Sequence, residues 1–213
     1  MDYGFLRQRM VEEQLISRGI SDPKVIYAFR KVPRHLFVPG EYIESSYDDH
    51  PLPIGNGQTI SQPYMVALMT ELLELKGGEK VLEIGSGSGY QAAILAEIAG
   101  SVYSIERIDT LSIKCDEKLK KMGYKNITVI AGDGTLGYKE ASPFNGIIVT
   151  CGAPDIPNSY IEQLDIGGVL VIPVGSEFSQ VLTVVKKTKD KTDIKEMCGC
   201  VFVPLIGKDG WKR

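Results

Sequence analysis

The chain alternates between short apolar segments and amphipathic segments from residue 80 to residue 175. The apolar segments are rich in Val and Ile, and most are bounded by Gly or Asn. Strands that are apolar throughout and are separated by helices are typical of a parallel sheet covered on both faces. The sequence therefore predicts an α/β fold with a doubly wound, mostly parallel sheet. The predicted strands are residues 80–84, 101–105, 127–131, 146–150 and 169–174, and the predicted helices are 90–98, 110–122 and 157–164.

Additions to this sheet are expected at both ends of the chain. Apolar spacing predicts a helix at residues 5–17, and Asp22-Pro23 predicts a second helix with Asp as its N-cap and Pro in its first turn. Residues 181–187 and 194–204 flank a polar turn and predict an antiparallel hairpin at the sheet edge. The expected architecture is thus a sheet with an N-terminal helical addition and a C-terminal hairpin.

A long irregular segment is predicted at residues 33–57, which are rich in Pro, Gly, Asp and Tyr. Long loops inside compact domains are frequently functional. Beyond it, an amphipathic run predicts a helix at residues 65–75. Ser61, two residues before Pro63, could serve as the N-cap of this helix.

The first predicted strand runs directly into a glycine-rich turn and a helix, with the sequence VLEIGSGSGY at residues 81–90. Glycines let the backbone turn sharply and let a ligand approach it closely. A dinucleotide-binding turn has the spacing G-x-G-x-x-G, whereas Tyr90 stands here at the position of the third glycine. The spacing favours a ligand without a pyrophosphate. The candidate cofactor-binding residues of this turn are Gly85, Ser86, Gly87 and Gly89.

Polar residues at strand ends extend this candidate site. Glu106 closes the second strand, where a carboxylate can accept both hydroxyls of a ribose. Asp133 follows the third strand and could bind an adenine amino group, while Glu83 could meet an ammonium directly or through water. Gly134 and Thr150 complete the predicted set. Each of these residues by itself could be an ordinary strand-end residue, but together they suit a cationic ligand that joins adenosine to an amino acid.

Composition and charge argue against several other classes of function. The formal net charge of −3 and the sequence pI of about 5.5 lack the basic surplus of proteins that bind nucleic acid phosphates. The four cysteines form no CxxC pair and have no histidine near them, so no metal site is predicted. Cys198 and Cys200 are expected to be buried on one face of a strand.

The sequence also bears on where the protein works. The first ten residues lack the apolar core of a signal peptide. No run of about eighteen apolar residues is present, so no membrane span is predicted. We therefore expect a cytoplasmic protein whose cysteines are free thiols.

Several motifs resemble one family in order along nearly the whole chain, from about Val32 to Trp211. The most specific is the segment GQTIS, which lies upstream of the glycine-rich turn. These motifs are similar to those of the protein-L-isoaspartate O-methyltransferases, which are class I methyltransferases with a Rossmann-like fold. The matching segments are residues 32–34 (VPR), 37–39 (FVP), 53–63 (PIGNGQTISQP), 81–91 (VLEIGSGSGYQ), 167–175 (GGVLVIPVG) and 202–205 (FVPL).

The resemblance implies a repair enzyme that uses S-adenosyl-L-methionine as methyl donor. Its acceptor would be the α-carboxylate of L-isoaspartyl residues in damaged proteins and peptides, and the family is usually monomeric. By the same resemblance Ser61 is the candidate catalytic residue. The candidate acceptor-binding residues are Thr59, Ile60, Ser61, Val203 and Pro204. Independently of the resemblance, the sequence predicts a single domain over residues 1–213, with residues 1–78 for the N-terminal helices and active-site loop, 79–175 for the cofactor-binding core and 176–213 for the C-terminal strands.

The sequence departs from the family pattern at a few positions. Asn145-Gly146 stands where an Asp is common before the fourth strand, and Val201 stands where many members have Arg before FVPL. The stretch after the fourth strand, often rich in alanine, reads CGAP at residues 151–154. These changes affect local contacts and substrate range more than the reaction.

Three other functions share part of this pattern. A methyltransferase acting on RNA or on a small metabolite would have the glycine-rich turn but not GQTIS. A nicotinamide oxidoreductase would need glycine in place of Tyr90. A protein that binds S-adenosyl-L-methionine without chemistry would bind the donor and release no S-adenosylhomocysteine.

Overall fold

The structure, a computed structural model, describes residues 1–212. Its helices are α1 (Tyr3–Met10), α2 (Pro23–Lys31), α3 (Pro63–Leu72), α4 (Tyr90–Ala96), α5 (Asp109–Lys121) and α6 (Asn158–Gln163). Its strands are β1 (Leu52–Gly55), β2 (Gln58–Ile60), β3 (Lys80–Ile84), β4 (Ser101–Glu106), β5 (Ile127–Ala131), β6 (Phe144–Val149), β7 (Leu164–Gly175), β8 (Gln180–Lys187) and β9 (Thr192–Cys200). A π-helical turn (Val11–Leu15) and a 3-10 turn (Ile16–Arg18) prolong α1.

Seven of the strands form one sheet in the order β5-β4-β3-β6-β7-β8-β9. The first five in this order are parallel, whereas β8 and β9 are antiparallel to their neighbours. The predicted doubly wound, mostly parallel sheet and the antiparallel C-terminal hairpin are confirmed. The strand order reverses between β3 and β6, and in open α/β sheets ligands bind at the carboxyl end of such a reversal.

Both faces of the sheet are buried because successive residues of each strand point to opposite sides. Val81 belongs to a large apolar core that includes α2, α3 and α4, in which Phe29 of α2 is fully buried. Leu82 and Ile84 belong to the core on the other face, together with Tyr160 of α6. The predicted N-terminal helices therefore pack onto one face of the sheet. The predicted division at residues 78/79 and 175/176 stays a prediction.

The observed elements differ from the predicted ones in the segment before α3. Within the segment predicted to be irregular, β1 pairs with β2 as a short hairpin. Its turn contains Asn56-Gly57, and both residues have positive φ (54° and 70°). Asn-Gly between two strands is a strong hairpin signal, so the sequence contained the information.

The C-terminal edge differs from the prediction as well. The last strand ends at Cys200 rather than at residue 204, because the chain then leaves the sheet edge and Pro204 pairs with Gly152. Cys198 and Cys200 are half-buried rather than buried, because they lie on the edge strand β9 and pack at the margin of the larger apolar core. None of the helices within residues 1–212 combines the length and apolar character needed to cross a bilayer.

Candidate active site

A cleft opens at the carboxyl ends of β3, β4 and β6, where the strand order reverses. It encloses about 980 Å³ including its open mouth. The cleft is lined by residues 57–61 and Val66 before and within α3, residues 84–88 with Tyr90 and Gln91, residues 105–108, Gly134, Thr150, Cys151 and residues 203–206. Segments separated by more than a hundred residues thus share one cavity.

The glycine-rich turn after β3 forms the floor of this cleft. Gly85, Gly87 and Gly89 all have positive φ (97°, 50° and 88°), which side chains rarely adopt. A methyl group on Gly85 would overlap the hydroxyl oxygen of Thr150 and the sulfur of Cys151. Thr150 in turn donates its hydroxyl to the carbonyls of Ile84 (3.0 Å) and Gly85 (2.8 Å). The turn is therefore held against the end of β6 with its backbone exposed to the cleft.

Glu106 fixes the opposite rim of the turn. Its two carboxylate oxygens accept backbone N–H groups from Gly87 and Ile108, each at 2.9 Å. A carboxylate oxygen can accept two hydrogen bonds, so each one keeps capacity for a ligand hydroxyl. Glu106 lines the cleft at the position that the sequence predicts for ribose binding.

Glu83 lies behind the turn rather than in the cleft wall. It is fully buried, and the Ser104 hydroxyl donates to its Oε2 atom. The Ser104 hydroxyl also lies within hydrogen-bonding distance of the hydroxyl of Ser86, which lines the cleft. The Oε1 atom of Glu83 has no partner within residues 1–212, and burial raises the pKa of this carboxyl to about 8. Glu83 is therefore mostly protonated at neutral pH when no cation is near.

Asp133 also stands outside the cleft lining. Its Oδ1 atom accepts the backbone N–H (3.0 Å) and the hydroxyl (2.7 Å) of Thr135. Its Oδ2 atom accepts the backbone N–H of Lys208 at 2.8 Å. Its contact with an adenine amino group stays a prediction, and it would require a further bond to this occupied carboxylate.

Residues 202–212, which we call the C-terminal strap, contribute one wall of the cleft through residues 203–206. The backbone N–H of Gly152 donates to the carbonyl of Val203 at 2.8 Å, and the carbonyl of Gly152 accepts the N–H of Leu205 at 2.8 Å. The indole of Trp211 donates to the same carbonyl at 3.2 Å. Buried Gln180 accepts the N–H of Phe202 at 2.8 Å. The predicted acceptor-binding residues Val203 and Pro204 thereby lie in the cleft wall.

The other wall is the segment from β2 into α3, in which Thr59, Ile60 and Ser61 line the cleft. The N-cap position of α3 is Gln62 rather than Ser61, and Asp49 accepts the N–H of Tyr64 in the first turn at 3.2 Å. Ser61 therefore does not cap the helix. Within residues 1–212 its hydroxyl forms no hydrogen bond, so it is free to bind a ligand.

Similarity to known proteins assigns this cleft to a family. A sequence model described as protein-L-isoaspartate(D-aspartate) O-methyltransferase (PCMT) matches residues 6–210. The chain belongs to this family. The family predicted from the sequence motifs is thereby confirmed.

Individual methyltransferases of the family agree with this assignment. The chain is 56% identical over 212 residues to the protein-L-isoaspartate O-methyltransferase of Geobacter metallireducens, covering 99% of this chain and 98% of that one. It is 53% identical over 213 residues to the enzyme of Petrotoga mobilis, covering 99% and 100%.

Solved structures of the family share the fold. One protein-L-isoaspartate O-methyltransferase superposes with a TM-score of 0.88 at 29% identity, over 96% of this chain and 67% of that chain. A structure from Plasmodium falciparum, described as a beta-aspartate methyltransferase in complex with S-adenosyl-L-homocysteine, gives a TM-score of 0.80 at 26% identity. That match covers 94% of this chain and 98% of the other. The protein is thus an S-adenosyl-L-methionine-dependent methyltransferase, as predicted.

The cleft of this methyltransferase fits that donor. Because Gly85 has no side chain, the floor of the cleft is bare backbone at this position, and a ligand can lie directly against it. Glu106 offers oxygens to hydroxyl groups, and the unpartnered oxygen of Glu83 lies close behind the turn. Of the predicted cofactor residues, Gly85, Ser86, Gly87, Glu106, Gly134 and Thr150 line the cleft, whereas Glu83, Gly89 and Asp133 support it from behind.

Sequence reasoning missed several residues of the methyltransferase cleft. Ser88 and Arg107 line it and directly adjoin predicted residues, so strand-end position was a sufficient signal for both. Cys151 lines it next to Thr150. Gln91 lines it from α4 and donates to the Thr70 hydroxyl at 2.9 Å, a contact that depends on the packing of α3 against α4.

Replacing Glu83 with Gln is expected to flatten the pH dependence of stability of the cofactor-free methyltransferase. Between about pH 5 and about pH 8 the folded protein keeps a proton on Glu83 that the unfolded chain has released, because the folded pKa is raised from 4.5 to about 8. Stability of the wild type therefore falls as pH rises through this window. Thermal unfolding midpoints across a buffer series measure the effect.

The matched control for this experiment is Glu12→Gln, which removes an exposed carboxylate paired with Arg30. Its curve of midpoint against pH should run parallel to that of the wild type. Parallel curves for wild type and Glu83→Gln would contradict the buried titration.

Replacing Gly85 with Ala is expected to weaken binding of S-adenosyl-L-homocysteine by about tenfold or more. The added methyl group overlaps Thr150 and Cys151, and it imposes a positive φ on a residue with a side chain. Isothermal titration calorimetry measures the affinity. Gly132→Ala is the control, because no heavy atom lies within 4 Å of its added Cβ position. Equal affinities for the two variants would contradict the close approach at Gly85.

Proposed function

We propose that this enzyme transfers a methyl group from S-adenosyl-L-methionine to the α-carboxylate of L-isoaspartyl residues in damaged proteins and peptides. The observation that carries the proposal is the single cleft in which the glycine-rich turn faces the segment Thr59–Ser61 and the C-terminal strap. Membership of the family supplies the reaction type. We propose that the donor is held by Glu83, Gly85, Ser86, Gly87, Gly89, Glu106, Asp133, Gly134 and Thr150, and the acceptor by Thr59, Ile60, Ser61, Val203 and Pro204.

The chemistry needs little from the protein beyond alignment. The acceptor carboxylate is ionised at neutral pH and is already a nucleophile, so no general base is required. When bound, S-adenosyl-L-methionine supplies an electrophilic methyl group on a sulfonium. The residues of the cleft must then orient the carboxylate oxygen toward that methyl and exclude water. Because opposite charges are neutralised during transfer, a dry cleft favours the reaction.

In this proposal Ser61 orients the acceptor. Ser61 lines the cleft, and its hydroxyl has no hydrogen-bond partner within residues 1–212. It can therefore donate a hydrogen bond to one carboxylate oxygen of the acceptor. The wall opposite is formed by Val203 and Pro204, which are fixed through Gly152. The acceptor segment would enter between the two walls, which requires an exposed and flexible peptide.

Three further aspects of the function are proposed on the same basis. The acidic net charge of −3 supports a protein rather than a nucleic acid partner. The four cysteines are free, which supports work in a reducing compartment such as the cytoplasm. We also propose that the enzyme acts as a monomer, since one chain contributes both walls and the floor of the cleft.

The reaction is tested with donor labelled in its methyl group, offered together with an isoaspartyl peptide or with its normal aspartyl counterpart. We expect base-labile label on the isoaspartyl peptide alone, because carboxyl methyl esters hydrolyse in mild base. Label on both peptides, or on neither, would refute the proposed acceptor.

Replacing Ser61 with Ala is expected to lower kcat/KM for the isoaspartyl peptide by about tenfold while donor affinity stays within about twofold. A hydrogen bond to a charged group contributes about 1.5–3 kcal/mol, which corresponds to roughly one to two powers of ten. Steady-state kinetics gives the first quantity and calorimetry with S-adenosyl-L-homocysteine the second. Unchanged turnover would remove Ser61 from the acceptor site.

A further inference from the structure

A fully buried arginine lies beneath the acceptor wall of the cleft. Arg34, in a 3-10 turn (Arg34–Phe37) after α2, has no exposed surface. Its Nε atom donates to the carbonyl of Ser46 at 2.8 Å, and its Nη2 atom donates to the carbonyl of Ser61 at 2.7 Å. The side chain thus joins two segments that are 12 and 27 residues away from it along the chain.

The charge of Arg34 has no carboxylate partner within ion-pair distance among residues 1–212. Burial lowers the pKa of Arg34 to about 10, so the guanidinium remains charged at neutral pH. A buried, unpaired charge is costly unless hydrogen bonds satisfy it. Its Nη1 atom has no partner in the described part of the chain. The two hydrogen bonds to carbonyls are therefore the interactions that offset the cost of burying this charge.

The surroundings of Arg34 connect it to the cleft. Its guanidinium lies 4.9 Å from the centre of the Tyr90 ring, and Tyr90 lines the cleft at the start of α4. The plane of the guanidinium presents donors in a fixed fork, which lets one side chain hold two carbonyls at once. Lysine, which has a single terminal nitrogen on a flexible stem, cannot reproduce that geometry.

A second charged residue holds the chain on the other side of Ser61. The Oδ2 atom of Asp49 accepts the Nε2 amide of Gln62 at 2.7 Å, and its Oδ1 atom accepts the N–H of Tyr64 at 3.2 Å. Asp49 also pairs with Arg18, whose guanidinium stacks 3.5 Å from the centre of the Tyr64 ring. The backbone at and after Ser61 is thus fixed from two directions, while its hydroxyl has no partner within the described residues.

We propose that Arg34 is a positioning residue that holds the Ser61 carbonyl so that the Ser61 hydroxyl faces the acceptor carboxylate. This inference rests on the proposed role of Ser61 in binding the acceptor. Arg34 bonds to the acceptor wall through the Ser61 carbonyl, so its replacement should lower acceptor use far more than donor binding. Within residues 1–212, Arg34 forms no hydrogen bond to β3, β4 or β6, whose ends carry the donor side of the cleft. Its contact next to the glycine-rich turn is with the ring of Tyr90, which a Met side chain at position 34 can also pack against.

The test is a double-mutant cycle between Arg34→Met and Ser61→Ala in the full chain. Alone, Arg34→Met is expected to lower kcat/KM for an isoaspartyl peptide by about tenfold or more. Affinity for S-adenosyl-L-homocysteine, measured by calorimetry, should stay within about twofold. In the Ser61→Ala background the same replacement should lower kcat/KM by no more than about twofold, because the group it positions is already absent.

Arg30→Met is the matched control, since Arg30 is an exposed arginine of the neighbouring α2 that pairs with Glu12. It should leave kcat/KM within about twofold of the wild type. If Arg34→Met does not fold, Arg34→Lys is carried through the same cycle. It keeps the charge but cannot bridge both carbonyls, and it should show the same loss of acceptor use and the same coupling to Ser61.

Two results would overturn the role of Arg34. In the first, the loss of kcat/KM in the double variant equals the product of the fold losses in the two single variants. That result would mean that Arg34 acts independently of Ser61. The other is a parallel loss of donor affinity, which would indicate a general structural effect. Failure of the proposed function itself is seen separately, because wild type would then not methylate the isoaspartyl peptide or Ser61→Ala would be fully active.

Discussion

Strands β3 and β6 lie side by side at the centre of the sheet, and the chain leaves them toward opposite faces. A gap therefore opens above their carboxyl ends. The glycine-rich turn and both walls of the cleft lie around this gap. The gap becomes a binding site because the turn after β3 has no side chain at Gly85 and packs directly against Thr150. Any bulk at this contact would separate the turn from β6. The sheet holds the two strand ends in fixed positions, and the absence of a side chain at Gly85 leaves space for the turn to pack against β6.

The two walls of the cleft come from outside the sheet, and each is fixed by polar contacts at a few points. The C-terminal strap is pinned through Gly152 and Gln180 near the cleft and through Asp133 further along. The other wall, from Thr59 to the first turn of α3, is fixed by hydrogen bonds to Arg34 and Asp49. Backbone groups receive most of these bonds, so they fix main-chain position and leave the side chains that face the cleft free. Such walls can be aligned accurately while remaining open to a peptide.

Two buried ionisable groups lie behind the cleft, Glu83 next to the glycine-rich turn and Arg34 beneath Ser61. Glu83 lies behind the donor side, and burial raises its pKa to about 8, so a cation near it would promote loss of its proton. Arg34 lies behind the acceptor side and keeps its charge at neutral pH. In the proposed complex, this arrangement would place a latent negative charge near the cationic donor and a positive charge beneath the segment proposed to bind the acceptor carboxylate. Both groups are shielded from water, so a charge on either of them acts on the cleft more strongly than a charge on a surface residue.

The sequence by itself determined the fold class, the succession of strands and helices from residue 80 onward, and the residues of the glycine-rich turn, because these follow from local periodicity and backbone conformation. It also identified the GQTIS segment and the family. Only the tertiary structure decided which strand-end residues reach the cleft: Glu106 does, whereas Asp133 bonds to the C-terminal strap. Likewise, local pattern allowed Ser61 to be a helix cap, but long-range contacts of Arg34 and Asp49 leave its hydroxyl free. The direction in which a polar side chain points depends on partners far along the chain, and no local pattern contains them.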